Sequence, residues 1–313
     1  MSIVAAALVP IASAQAQTRN VLSEAAVPRI AIGMNAANTP TDPVGLKAYV
    51  ATAGRKPAFV MWYQNWSEPL FWESQRSSVD AANVTPLITW MPKLSDGGGV
   101  PLADIASGKW DDKIRTAAQQ ATSWHRPVYI RFGHEMNLPG SAYGPGRQGN
   151  TPAGYVAAWR HVVSVFRAMG VTNVRWVWSP NVDCDGRCPF TAFYPGDDVV
   201  DWVALDGYNF SSVTAMPWRS LMSVFGPSYD KITAITTKPV MIGETGSAEV
   251  GGSKEAWIRD GFLTKLPVRM PRVRAVVWFH RVKETDWRID SSPTSLAAYR
   301  AVVDSERYQG SLP

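Results

Sequence analysis

The chain has 313 residues, 46% of them hydrophobic and 18% charged, with a formal net charge of +5. That composition excludes a disordered or low-complexity protein, and the length suits either two small domains or one large α/β barrel. Lys and Arg are scattered, densest at Arg269, Arg272 and Arg274, so a nucleic-acid partner is not expected.

The first 17 residues, MSIVAAALVPIASAQAQ, are apolar and small and then turn abruptly polar. They read as the core and A-x-A cleavage site of a secretory signal, with Ala12-Ser13-Ala14 or Ala14-Gln15-Ala16 as cut points. The basic leader is missing, and the rival reading, a membrane anchor, needs a longer apolar run. A secreted protein whose mature part, residues 18–313, is one domain is therefore expected.

Short β-branched or aromatic runs at 29–34, 57–63, 84–91, 127–132, 173–179, 201–208, 238–243 and 274–280 predict eight strands. Amphipathic stretches at 44–53, 69–82, 109–124, 152–168, 217–235, 254–266 and 295–303 predict the helices between and after them. Only the segment between the fifth and sixth strands lacks a helix. It holds Cys184 and Cys188 in DCDGRC, which in an exported protein predicts a disulfide; further Cys or His for a metal site is lacking. Alternation without a linker of distinctive composition predicts a single (β/α)8 barrel, and a monomer without cofactor or metal.

The strand ends carry the chemistry. They include Trp62 and Tyr63, Trp90, His134 and Glu135, Trp178, Asp206 and Tyr208, Glu244, then Trp278 and His280. In such a barrel the C-terminal rim holds the active site. Glu135 after the fourth strand and Glu244 after the seventh face each other across the mouth. Two carboxyls about 5–5.5 Å apart are what a retaining glycosidase needs, one as acid/base and one as nucleophile. HEMNL is not the zinc motif H-E-x-x-H, since Leu138 stands at the second histidine position, and G-x-S-x-G does not occur.

HEMN, VRWVWSPN, FYPGDDVVDWVALDGYN and PVMIGETG resemble consecutive signatures of glycoside hydrolase family 26. The resemblance implies a clan A (β/α)8 fold and retaining endo-hydrolysis of β-linked polysaccharides, typically mannans, with some relatives acting on mixed-linkage β-glucans or β-1,3-xylans. It implies Glu135 as acid/base, Glu244 as nucleophile and His134 as a contact to the central sugar. Tyr208 matches the tyrosine that hydrogen-bonds the nucleophile, and Asp206 its polar neighbour. Trp278 matches an aromatic floor and Trp90 a further subsite wall, while Arg131 keeps Glu244 ionised. Trp178 is expected beside the acid. The family's aromatic-rich stretch after HEMN is replaced by LPGSAYGPGRQGNTP, which leaves Tyr143 as the one aromatic for the leaving-side sugar and puts mannan in question as the substrate. A non-catalytic carbohydrate-binding barrel is the alternative.

Overall fold

The computed structural model describes residues 29–211 and 216–313. The predicted signal at 1–17 lies outside them. Eight parallel strands close into a barrel, each paired with its neighbours in chain order and β8 with β1. They are β1 (Ala31–Ala36), β2 (Phe59–Asn65), β3 (Thr85–Met91), β4 (Val128–Phe132), β5 (Val174–Trp178), β6 (Trp202–Asn209), β7 (Val240–Ser247) and β8 (Val273–His280). All eight predicted strands are present, within a few residues at each end.

Local chemistry sets the helix boundaries. The first helix, Pro43–Ala53, starts with Asp42 accepting from the Val44 amide at 2.7 Å and ends on Gly54 at φ +79°. Pro152–Ala168 and Pro293–Asp304 begin with Thr151 and Ser292 in the same capping role, each followed by proline at the first helical position. The predicted 254–266 helix divides into Lys254–Ile258, a π-helical stretch Arg259–Lys265, and Leu266–Arg269. A short helix at Leu102–Ala106 has no counterpart in the sequence reading. Between β5 and β6 only a 3-10 turn, Thr191–Phe193, occurs.

Strand parity sorts the side chains. Ala31, Phe59, Met61, Leu87, Tyr129, Val177, Ala204, Met241 and Val277 fill the barrel interior. The residues between them, including Ile88, Trp90, Ile130, Phe132, Trp178 and Trp278, face the helices in a separate apolar layer. Among the described residues no helix is long and apolar enough to cross a membrane.

The expected disulfide is absent: Cys184 and Cys188 are free thiols. Cys184 and Asp185 adopt φ +53° and +58° in a tight turn. There the Cys184 thiol donates to the Val182 carbonyl at 3.3 Å instead of bonding its partner. Burial, with Cys188 close by, pushes that thiol up to about 12, so it stays protonated at neutral pH.

Candidate active site

Above the apolar interior lies a layer of polar groups organised around Arg131, which is fully buried on β4. Its Nε donates to Thr89 Oγ1 at 2.9 Å, and Nη1 donates to both carboxylate oxygens of Asp206, also at 2.9 Å. Nη2 donates to Glu244 Oε1. Ser179 Oγ adds a 3.0 Å bond to Asp206 Oδ1. A buried guanidinium is tolerable only when paired in this way, and loss of one carboxylate from such a pair costs about 3–5 kcal/mol.

The layer depends on Gly243. A Cβ there would collide with Asp206 Oδ1 and lie 2.9 Å from Ser179 Oγ and 3.0 Å from Arg131 Nη1. We expect Gly243→Ala to lower unfolding stability by about 1–3 kcal/mol, the usual effect of overpacking, and to cut activity with it. Denaturant melts would show this; an unchanged midpoint would mean that the layer is not rigid.

Beyond β4 the chain turns sharply. Gly133 and Glu135 sit at φ +54° and +51°, on either side of His134. The left-handed backbone at a glutamate is strained, and the Glu135 amide is held by the Ser179 carbonyl at 2.8 Å. Asn137 of the HEMN motif fastens the same turn, donating to the carbonyls of Asn181 and Cys188 at 2.9 and 2.7 Å. The outcome is that His134 Nε2 lies 4.0 Å from Glu135 Oε2 and 3.8 Å from Glu244 Oε1. One imidazole therefore touches both carboxylates.

Those carboxylates are in opposite states. Burial, and then the Glu244 charge, push Glu135 up to about 8. Burial also works against ionisation of Glu244, but the Arg131 charge, His134, the hydrogen bond from Tyr208 and the nearby Tyr63 hydroxyl prevail and hold it at about 2. Tyr208 donates to Glu244 Oε2 at 2.7 Å. Burial and the Arg131 charge lower His134 to about 3, so its ring is neutral. Tyr143 fixes the tautomer. Its hydroxyl donates to the His134 carbonyl at 2.8 Å, so at 3.0 Å it can only accept from His134 Nδ1. Nε2 is left as a bare acceptor facing the space between the carboxylates.

Two connected lobes of a cleft open here. One, of about 740 Å³, is lined by Tyr63, Tyr208, Glu244, Phe279 and Arg281. The other, of about 630 Å³, runs over the loops after β3 and β4 past Lys93, Gly99 and Gln148. Both include His134, Glu135 and Lys283. Among the described residues no group of His, Cys, Asp or Glu could hold a metal ion.

Of the residues singled out from the sequence, Glu135, Glu244, His134 and Tyr208 converge on this cleft. Arg131 and Asp206 support it from below and are fully buried, so they are not sugar contacts. Trp90, Trp178 and Trp278 correct the sequence reading. They are 0%, 0% and 1% exposed and point away from the mouth, because they share parity with the helix-facing residues of their strands. Trp90 stacks on Trp66 with centroids 4.4 Å apart, and Trp178 packs edge-on against Tyr194. Trp278 donates from Nε1 to the Trp287 carbonyl at 2.8 Å, and Trp287 in turn packs on Tyr208. Tyr143 borders the second lobe but is only 3% exposed and serves mainly to hold His134. The sequence reading gave no role to Tyr63, Phe279, Arg281 or Lys283. Parity would have found the first two, since each is the inward residue beside a tryptophan at the end of β2 or β8.

Residues 108–253 match the family described as Glycosyl hydrolase family 26. The chain is 38% identical to Endoglucanase H of Acetivibrio thermocellus over 268 residues, 82% of this chain and 29% of the relative. It is 30% identical to β-1,3-xylanase TXYA of a Vibrio species over 41% of this chain and 26% of the relative. The chain thus spans less than a third of the length of either. A Cellulomonas fimi endo-β-1,4-mannanase double mutant has the same fold, with a TM-score of 0.67 at 17% identity, covering 90% of this chain and 71% of that one.

Proposed function

The chain belongs to glycosyl hydrolase family 26, and from that membership we propose that it is a retaining endo-β-glycoside hydrolase of a β-linked polysaccharide. The observation that carries the reading is the single imidazole nitrogen in contact with two carboxylates of opposite protonation. A β-1,3/1,4-glucan is the first substrate to try, because the similarity to an endoglucanase extends over most of this chain. β-Mannan and β-1,3-xylan follow, from the mannanase fold and the shorter xylanase match. A cleft that continues past the acid in both directions suits attack within a polymer.

In this mechanism Glu244, ionised, attacks the anomeric carbon while Glu135 gives its proton to the departing glycosidic oxygen. The leaving sugar is released as an alcohol and a glycosyl ester forms on Glu244. Glu135, now a carboxylate, takes a proton from water, whose oxygen attacks the same carbon and frees Glu244. The bare Nε2 of His134 accepts a hydroxyl hydrogen from the sugar held between the carboxylates. A binding-only barrel would have no use for opposed protonation of this pair. The chain is further proposed to be exported through residues 1–17 and to act as a monomer.

Activity requires Glu135 protonated and Glu244 charged. With these groups at about 8 and about 2, kcat/KM is expected to hold through neutral pH and to fall as pH rises past about 8. No loss is expected near pH ~4.3, where an ordinary glutamate titrates. A pH–rate profile checks this, and an acidic limb between pH ~4 and ~5 would show that Arg131 does not hold the nucleophile ionised. Reducing ends released from lichenan, mannan and β-1,3-xylan, with the first anomer identified by NMR, test the reading. Glycan binding without cleavage, or inversion at the anomeric carbon, would overturn it.

A further inference from the structure

The cleft's charge is unlike that of a groove for neutral sugar. Six cationic side chains line its two lobes: Lys93, Arg147, Arg187, Arg219, Arg281 and Lys283. Among the described residues only three carboxyls do so, Glu135, Glu244 and Glu284. The formal excess at the cleft is thus three of the chain's five net positive charges, gathered from loops far apart in sequence. Among the described residues two of the six cations, Lys283 and Arg219, have a carboxylate partner and four do not. Glu135 is protonated at neutral pH and Glu244 is paired from below by Arg131. Glu284 lies 2.8 Å from Lys283, and Arg219 reaches Asp185 at 3.2 Å. Among the described residues no carboxylate pairs with Lys93, Arg147, Arg187 or Arg281.

Arg281 is the best organised of these. It follows β8, half-buried, with Nε donating to Asn35 Oδ1 at 2.6 Å and Nη2 to the Ala36 carbonyl at 3.0 Å. Its guanidinium lies 5.8 Å from the centre of the Phe279 ring, in the lobe that contains Glu244. A planar guanidinium fixed in this way, with Nη1 unengaged among the described residues, suits a carboxylate at little entropic cost. Lys283 lines both lobes beside the acid, where polymer on either side of the scissile bond passes. Clefts lined by one sign of charge focus the field and concentrate ligands of opposite sign.

We propose that the preferred substrate is an anionic β-glycan whose sugars carry carboxylate groups, with Arg281 and Lys283 as the residues that read them. This rests on the glycosidase reading above and names its substrate class. The test uses lichenan and mannan beside the same polymers with part of their primary hydroxyls oxidised to carboxylates. At low ionic strength kcat/KM on the carboxylated polymer is expected to exceed that on its neutral parent about tenfold. The ratio should fall towards one at about 1 M salt, where the screening length is ~3 Å. Arg281→Gln with Lys283→Gln should bring the ratio to one at low salt as well, through KM. Cleavage of the neutral polymers with no preference for the carboxylated ones, or a preference indifferent to salt, would overturn the proposal and leave the glycosidase reading standing. Cleavage of none of the four would overturn both.

Discussion

Glu244→Gln is expected to lower kcat/KM on every glycan by about 10⁴-fold or more, the scale seen when a covalent nucleophile is removed, while the barrel stays folded. The neutral amide cannot attack the anomeric carbon, yet its oxygen still accepts from Arg131 Nη2 or Tyr208. Arg131 keeps its two bonds to Asp206 and one to Thr89, so its charge is not left unpaired. A second effect follows from the electrostatics. The Glu244 charge is the main contribution after burial that raises Glu135, so its removal should bring the Glu135 titration down from about 8. Carboxyl NMR of the folded variant reads that shift. Turnover within tenfold of the parent would remove Glu244 from the mechanism.

Glu135→Ala should separate substrates by their leaving group. On polysaccharide, where the departing oxygen must be protonated, kcat/KM is expected to fall by about 10²–10⁴-fold, the usual contribution of a positioned acid. On an aryl glycoside with an acidic phenol the first step should survive, and an initial burst of phenol should precede a slow phase. That phase is slow because the base that activates water is gone as well. Backbone strain at position 135 changes little, since alanine at φ +51° is no less strained than glutamate, and thermal melts would separate unfolding from chemistry. Equal loss on both substrates at the first step would show that the proton comes from elsewhere.

The fold was legible in the sequence because short apolar runs alternate with amphipathic stretches, down to the connection between β5 and β6 that lacks an α-helix. The two carboxyl positions were legible because strand ends four and seven must meet across a closed barrel. The aromatic residues were misread for a physical reason. A tryptophan at a strand end can face the mouth or the helices, and a shift of one residue exchanges the two. Arg131 and Tyr129 are inward on β4, and the same alternation turns Trp90, Trp178 and Trp278 outward on β3, β5 and β8. The cysteine spacing suggested a bond, whereas the turn's own hydrogen bonds satisfy the Cys184 thiol. The cationic cleft was invisible because its six residues are contributed by separate loops and meet only on folding.

Arg131 joins Thr89 of β3, Ser179 just beyond β5, Asp206 of β6 and Glu244 of β7 to its own strand, with the Gly243 backbone pressed against it. This divides the molecule for anyone who wishes to retarget it. The hub is hard to redesign piecemeal, since Arg131 is bonded to four other members at once. Of the cleft loops, those that carry Lys93 and Lys283 share none of its bonds. Transplanting those loops between family members should therefore change which polymer is recognised and leave the reaction itself intact.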